Sequence, residues 1–177
     1  MTSKTVRFNH SKQPRLLSLF VLLVALCLAT TLAPVFAHSE EDGVVRVVYH
    51  ADFSDPRRFS AMLTSINNML THYNNELIEH DVRIVFVAHG IRFVTDDALA
   101  KTPFAADAEL NERRENLKGR LLSLHEVHDV KLELCDITRS ETGLAMEKLY
   151  EAVDSTPSGV VRIAELQRKG YAYIKIE

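Results

Sequence analysis

The 177-residue sequence has no tryptophan, only two cysteines, five prolines and six glycines. So little proline and glycine excludes a collagen-like or low-complexity chain, and the lack of tryptophan argues against a binding module anchored by that residue. Lysine and arginine number 21 against 24 aspartates and glutamates, so there is no basic surplus of the kind that nucleic-acid-binding proteins carry. What remains is the composition of a globular protein with room for one well-packed domain.

Three common site motifs are also missing from the sequence. No GxGxxG follows the first predicted strand, and no GxxxxGK[ST] occurs anywhere, so the backbone geometry that cradles dinucleotide or nucleotide phosphates is absent. No GxSxG nucleophile elbow is present, which excludes the most familiar serine hydrolases. The sequence therefore predicts no cofactor.

The first 37 residues have a different composition from the rest. Four basic residues precede an apolar run over residues 16–33, and Val35 and Ala37 stand just before an abrupt acidic stretch that begins at His38. This order predicts a signal peptide over residues 1–37, cleaved after Ala37, and hence a periplasmic or secreted protein. An uncleaved membrane anchor stays open as an alternative, because about 18 apolar residues is the lower limit for a membrane span.

Cleavage changes the charge and the cysteine count. It removes four basic residues and no acidic ones, so the chain from His38 to Glu177 keeps 17 basic and 24 acidic residues, a net charge of −7. Such a surface repels nucleic acid and anionic lipid headgroups, so we predict neither as a partner of the mature protein. Cys135 is then the only cysteine and cannot form an intrachain disulfide. Three roles stay open for Cys135: an inert buried thiol, a thiol paired with a cysteine of another molecule, or a reactive group.

The mature chain, residues 38–177, alternates predicted strands with predicted helices and is interpreted as a single domain. Continuous β-branched runs suit a sheet that is covered on both faces. Helices between strands imply right-handed parallel crossovers. The predicted class is thus α/β, a three-layer α/β/α sandwich with a mostly parallel five-stranded sheet. The predicted strands are 44–49, 82–88, 130–135, 153–156 and 171–176. One predicted helix starts at residues 55–56, and three others span 109–124, 142–152 and 158–169.

Open α/β sheets bind ligands at the carboxyl ends of their strands. The first predicted strand ends at His50, the second at His89 and the third at Cys135, whereas His125 and His128 precede the third strand and fall at the opposite end. Imidazole or a helix N-terminus lowers the pKa of a thiol and so increases the nucleophilic thiolate. We therefore predict Cys135, His50 and His89 as the catalytic residues.

Other interpretations of the same residues remain open. Asp136 follows the cysteine, and a nearby carboxylate disfavours a second negative charge. In this interpretation Cys135 is a buried structural residue, and each histidine only satisfies its hydrogen bonds at the end of a strand. Nitrogen and sulfur from the three residues also suit zinc or copper, but the sequence lacks the closely spaced Cys and His pairs of recognisable sites, so we predict no metal.

Several segments in order resemble the DsrE/DsrF-like family, and more specifically an exported branch of it. They are Val47-Val-Tyr-His50, Ile66-Asn-Asn-Met69, Ile84-Val-Phe-Val-Ala-His-Gly90, Leu132-Glu-Leu-Cys135 and the stretch over residues 158–174. The resemblance implies an α/β/α sandwich with five parallel strands, assembled into trimers or hexamers. Members with assigned roles carry sulfur as a cysteine persulfide, and Cys135 matches that cysteine. Similar chains usually favour Asn or Thr after the cysteine, whereas this chain has Asp136.

The resemblance and the residues together give a leading hypothesis and an alternative. In the first, the protein is a periplasmic sulfurtransferase-like relay in which Cys135 carries sulfur, His50 and His89 tune the thiol, and a partner protein donates or accepts the sulfur. In the second, it is a non-catalytic module that binds a small ligand or a metal, or a subunit that serves assembly. An accessible thiol of low pKa is expected only in the first.

Overall fold

A computed structural model describes residues 43–176 as five strands that alternate with helices. The predicted signal peptide, residues 1–37, lies outside the described residues. Within residues 43–176, no helix combines the length and the apolar character needed to cross a bilayer. The strands are β1 Val45–Ala51, β2 His80–Phe86, β3 Lys131–Cys135, β4 Val153–Thr156 and β5 Ala172–Ile174. The helices are α1 Pro56–Asn75, α2 Ala108–His128, α3 Asp136–Thr142 and α4 Gly159–Arg168, with 3-10 turns at Ala88–Phe93 and Met146–Lys148.

The five strands form one parallel sheet in the order β4-β3-β2-β1-β5. The chain steps across the sheet from β1 to β4 and then returns to the far edge with β5. Each crossover between parallel strands is right-handed, so the helix of a crossover lies on the face set by the direction in which the chain moves across the sheet. The crossover from β4 to β5 moves in the opposite direction from the earlier ones, and its helix α4 therefore lies on the opposite face. Helices α1 and α2 therefore cover one face and α4 covers the other. The predicted α/β sandwich is confirmed.

The larger core lies between α1, α2 and the first face of the sheet. The start of α1 is fixed by Asp55, whose carboxylate accepts from the backbone N–H of Arg57 at 2.7 Å, and by Pro56, which has no N–H to leave unpaired. Phe59 stacks on Phe93 with ring centroids 4.1 Å apart and meets Phe86 edge-on. The apolar residues of α1 recur with the helical period, which predicts a buried stripe of Phe59, Met62, Leu63, Ile66, Leu70 and Tyr73. The first five are buried, and Tyr73 at the end of the stripe is half-buried.

The second face is polar at its centre. Glu133 on β3 is 5% exposed and accepts hydrogen bonds from Arg83 on β2, at 2.8 Å, and from Arg162 on α4. Beside these ion pairs, Ile163 and Leu166 of α4 pack against Val48 and other apolar residues of the sheet. The alternation of polar and apolar residues along β3 predicts a more exposed neighbourhood for this strand. The prediction is wrong, because two guanidinium groups neutralise the carboxylate of Glu133 and allow it to be buried.

The helix predicted over residues 142–152 is also wrong. Helix α3 starts directly after β3 and ends at Gly143, whose φ of +70° is the left-handed conformation that terminates helices. The following segment bonds instead to the loop after β2: Lys148 C=O accepts from the Thr95 hydroxyl at 2.7 Å, and Tyr150 N–H donates to Val94 C=O at 3.0 Å. Tertiary hydrogen bonds replace the intrahelical ones here.

Candidate functional site

Cys135 lies where two helices begin. It is the last residue of β3 and immediately precedes α3, and it is 4% exposed. Gly159, the first residue of α4, lies directly against it, because a β-carbon added to Gly159 would stand 3.0 Å from the Cys135 β-carbon. The same added atom would stand 2.6 Å from Val87 Cγ2. Only glycine lets the start of α4 come this close to the thiol.

The surroundings of Cys135 favour its ionised form. Burial of the thiol raises its pKa, but hydrogen bonding from the Gly159 backbone N–H, from the Thr138 N–H and hydroxyl, and from the Ile137 N–H outweighs it. The pKa of Cys135 is therefore lowered from its ordinary value. Donors at the starts of helices stabilise negative charge on sulfur in this way, and a stabilised thiolate is the nucleophilic species.

Asp136 does not oppose this effect as its place in the sequence suggested. Its carboxylate accepts from Arg139 Nε at 2.7 Å and from the hydroxyls of Ser140 and Ser155. The hydrogen bond to Arg139, together with those to the serines, lowers the pKa of Asp136 and keeps it ionised. Its negative charge is thus balanced by the guanidinium beside it.

His50 lies within β1, not beyond its end, and shares a sheet face with Cys135. Its strand partner is Val85, so β2 stands between the histidine and the cysteine, and roughly 10 Å separates the axes of β1 and β3. Its Nδ1 is 2.9 Å from the Tyr173 hydroxyl and its Nε2 is 3.9 Å from an Asp52 oxygen.

The electrostatics of His50 favour the neutral imidazole. Burial lowers its pKa below the ordinary value, the carboxylate of Asp52 acts in the opposite direction, and Lys175 adds to the lowering. Its Nε2 atom is buried without a hydrogen-bond partner. His50 therefore offers one unused ring nitrogen on the strand beside β2, where its partner in the sheet is Val85.

His89 lies on the 3-10 turn that follows β2. Ala88 has a φ of +48°, and a β-carbon on Gly90 would come within 2.1 Å of the Ala51 carbonyl oxygen, so this turn carries the chain closely over the end of β1. The His89 ring packs edge-on against Phe104, with centroids 5.1 Å apart, and its Nδ1 is buried without a hydrogen-bond partner. The structure thus places His89 at the predicted edge of the sheet.

The other two histidines of interest lie where the sequence predicted, at the opposite end of the sheet. His125 and His128 are in the last turn of α2, just before β3 begins. His125 Nδ1 is 3.0 Å from the Val130 carbonyl oxygen, and His128 Nδ1 is 3.1 Å from the Asn74 amide nitrogen. Both take part in ordinary contacts that close the ends of helices.

The described part of the chain, residues 43–176, holds no group of three or more His, Cys, Asp or Glu side chains arranged to bind a metal ion. His50, His89 and Cys135 therefore do not form the three-ligand cluster that the metal hypothesis requires.

Sequence reasoning missed the donors around the thiol. Ile137 and Thr138 open α3, and Gly159 opens α4. A Ser-Gly pair before an apolar helical stripe is a recognisable helix start, and Ser158 does cap α4. The sequence contains no signal that this start meets Cys135, because the contact depends on how α4 crosses the sheet.

Comparison with known proteins agrees with this architecture. The family model for the DsrE/DsrF-like family matches residues 43–176. Among solved structures, MTH1491 from Methanobacterium thermoautotrophicum, described as a protein of unknown function, is similar with a TM-score of 0.57 and 24% identity. The YchN protein from E. coli is similar with a TM-score of 0.51 and 14% identity. Each similarity covers 74% of this chain and 98% of the other.

At these identities the two solved structures support the fold alone. A search of curated proteins finds no significant match. The family model, in contrast, covers the whole described region, including all five strands and Cys135. The chain therefore belongs to the DsrE/DsrF-like family, a family of the sulfur-relay type.

Proposed function

We propose that the protein is an exported sulfur carrier in which Cys135 accepts sulfane sulfur from a small anionic donor and passes it to a partner protein. The observation that carries the proposal is the set of N–H and hydroxyl donors around the Cys135 sulfur, which lower the pKa of the thiol despite its burial. A cysteine that served packing alone would gain nothing from such donors, because a neutral thiol accepts hydrogen bonds only weakly.

The transfer step balances with thiosulfate as the donor. The Cys135 thiolate attacks the outer sulfur of thiosulfate, a new sulfur–sulfur bond forms, and the bond between the two thiosulfate sulfurs breaks. Its electron pair leaves with sulfite, so the products are a cysteine persulfide anion and sulfite. The total charge is unchanged, and no external oxidant or reductant is required.

The low exposure of Cys135 bears on the size of the donor. The residue is 4% exposed and lies under the first turn of α4. A small anion such as thiosulfate or a short polysulfide fits this position better than a bulky donor. The same burial favours the second candidate function, a non-catalytic module in which Cys135 is structural.

Export and self-assembly belong to the proposal as well. The signal peptide predicted over residues 1–37 supports export. Val160 and Val161, on the outer side of α4, are 64% and 55% exposed, and Tyr173 on the edge strand β5 is also exposed. Apolar side chains left uncovered on an otherwise acidic protein suit an interface between copies, in line with the trimer or hexamer that the family resemblance implies. Sedimentation velocity measures the assembly directly.

Mass spectrometry of the peptide that contains Cys135 tests the proposed chemistry. The full chain is incubated with thiosulfate or polysulfide, and the peptide is examined for the added mass of one sulfur atom. Peptide resolution keeps Cys27 from contributing to the signal. We expect loading at Cys135 and none in the Cys135→Ser variant. A wild-type thiol that never takes up sulfur, while Cys135→Ser strongly destabilises the fold, would support the non-catalytic module instead.

A further inference from the structure

Four polar side chains form a connected cluster at the carboxyl ends of β1 and the edge strand β5. His50 Nδ1 lies 2.9 Å from the Tyr173 hydroxyl oxygen, and His50 Nε2 lies 3.9 Å from Asp52 Oδ2. The same aspartate oxygen accepts a hydrogen bond from Lys175 Nζ at 3.0 Å. The His50 side chain is only 16% exposed, so protein groups rather than bulk water decide what each ring nitrogen faces.

The register of the sheet explains why Tyr173 and His50 meet. Tyr173 is paired with Val48 in the parallel ladder between β5 and β1. His50 stands two residues beyond Val48 in the same strand, so its side chain projects from the same face of the sheet as that of Tyr173. The two rings are tilted by 56° with centroids 5.9 Å apart, so they do not stack and the contact is made through the hydroxyl.

The two contacts of His50 favour one tautomer of the neutral imidazole, in which one ring nitrogen donates and the other accepts. A hydrogen on Nε2 points the positive end of an N–H bond at the Asp52 carboxylate, whereas a lone pair on Nε2 would face that negative charge. Nδ1 is then the accepting nitrogen, and the Tyr173 hydroxyl donates to it. The hydrogen bond made by one ring nitrogen decides which of the two carries the hydrogen.

We propose that Tyr173 is a positioning residue for His50: its hydroxyl donates to Nδ1 and holds the imidazole with its hydrogen on Nε2. His50 then presents an N–H donor and not a base, because the nitrogen that has the lone pair is engaged by Tyr173. Among residues 43–176 this Nε2 is buried and has no hydrogen-bond partner, so the donor is left to an acceptor atom of a bound molecule. A role of this donor in sulfur transfer rests on the proposed function, whereas the tautomer does not.

The test is the nitrogen NMR spectrum of the histidine rings in the full chain at about pH 8, above the ordinary histidine pKa of about 6.5. A ring nitrogen that carries hydrogen resonates far upfield of one that does not, so the spectrum shows which nitrogen of His50 is protonated. The chain has eight histidines, and the spectrum of His50→Gln identifies the signals of His50 by their loss. We expect hydrogen on Nε2 with a preference of roughly tenfold or more over Nδ1.

Two variants and a matched control separate positioning from folding. Tyr173→Phe keeps the ring and removes the hydroxyl, and we expect the preference for Nε2 to fall about fivefold, because one ordinary hydrogen bond is lost. Asp52→Asn lowers the same preference by removing the charge that faces Nε2. Tyr49→Phe is the control, since Tyr49 neighbours His50 in β1 but lies on the other face of the sheet, where its hydroxyl donates to Met69 Sδ at 3.7 Å. This variant is expected to keep the wild-type tautomer.

Three results would overturn the inference. One is hydrogen on Nδ1 of His50 in the wild type, and another is an unchanged tautomer ratio in Tyr173→Phe. Tyr173→Leu also lacks the hydroxyl and replaces Tyr173→Phe if that variant does not fold; loss of folding in both would assign Tyr173 to the fold alone.

Sulfur loading of Cys135 is measured separately, by mass spectrometry. Hydrogen on Nε2 that depends on Tyr173, in a protein that never takes up sulfur, would uphold the positioning role and reject the sulfur carrier. Sulfur loading by a protein whose His50 carries hydrogen on Nδ1 would reject the positioning role and uphold the carrier.

Discussion

Gly159 and Cys135 come into such close contact that neither position tolerates added bulk between them. A β-carbon built on Gly159 would lie only 3.0 Å from Cys135 Cβ. Real β-carbons rarely approach other atoms so closely, so the first turn of α4 reaches the thiol only because residue 159 has no side chain. One glycine thereby sets the distance between a helix start and the candidate nucleophile.

Replacing this glycine is expected to disturb both stability and the thiol. In Gly159→Ala the new methyl meets Val87 Cγ2 at 2.6 Å, and overpacking of this kind costs about 1–3 kcal/mol of unfolding free energy. The Gly159 N–H is also displaced from the sulfur, so the pKa of Cys135 rises. Urea denaturation and the pH dependence of alkylation measure the two effects.

The matched control is Gly119→Ala, in the middle of α2. Gly119 is exposed, and a β-carbon there meets nothing within 4 Å. Alanine is the better helix former, so this variant is expected to gain about 0.5–1 kcal/mol of unfolding free energy. Equal effects of the two substitutions would contradict the close contact at Gly159.

Cys135→Ser is expected to fold with a loss of less than about 1.5 kcal/mol of unfolding free energy, since the N–H donors around the sulfur can bond a hydroxyl oxygen instead. Chemical denaturation of the variant and the wild type gives the difference. A loss near 3 kcal/mol would instead describe a thiol held in apolar packing.

His50→Gln is expected to slow sulfur loading at Cys135 without abolishing it. The change keeps a polar side chain near Tyr173 but removes the imidazole whose Nε2 has no partner. His89→Gln is expected to behave in the same way. The loading rate on the Cys135 peptide is the measurement, and rates equal to the wild type in both variants would remove the histidines from the site.

Glu133 is expected to make stability depend on acid pH. Burial raises its pKa, but the hydrogen bonds and charges of Arg162 and Arg83 outweigh this, so its folded pKa is below the ordinary 4.5. A depressed carboxyl pKa contributes stability above the unfolded value, and the contribution is lost as the pH falls through the folded pKa.

Glu133→Gln therefore tests the buried ion pairs. At pH 7 we expect a loss of about 3 kcal/mol, because two guanidinium groups lose the charge between them. In acid the wild type and the variant converge. Urea denaturation at pH 7 and pH 3 gives both values, with exposed Glu115→Gln as the control that should change stability by less than about 0.5 kcal/mol. A pH-independent difference would show that shape, not charge, matters at residue 133.

The exported protein is expected to begin at His38 or within two residues of it, because Val35 and Ala37 occupy the positions that signal peptidase reads. Intact-mass measurement of the exported protein locates the terminus. Membrane-bound protein that retains Met1 would instead establish an anchor.

Local pattern in the sequence was enough to predict much of the fold. Asp55 and Pro56 start α1, the stripe from Phe59 to Leu70 gives its buried face, and β-branched runs predict the strands. These features depend on residues near one another in the chain, so they can be predicted without the tertiary structure. Because parallel strands end at one edge of their sheet, the predicted strand ends also place Cys135 and His89 at the carboxyl edge.

What the sequence by itself determined, then, is the α/β class, the helix and strand order and the strand end at which Cys135 stands. Tertiary structure decided the rest. It buried Glu133 between two arginines, bonded the segment around Lys148 to the loop after β2 and brought Gly159 against the thiol. Each of these depends on how distant segments cross, and a crossing is fixed by packing over the whole sheet, which no local period or spacing encodes.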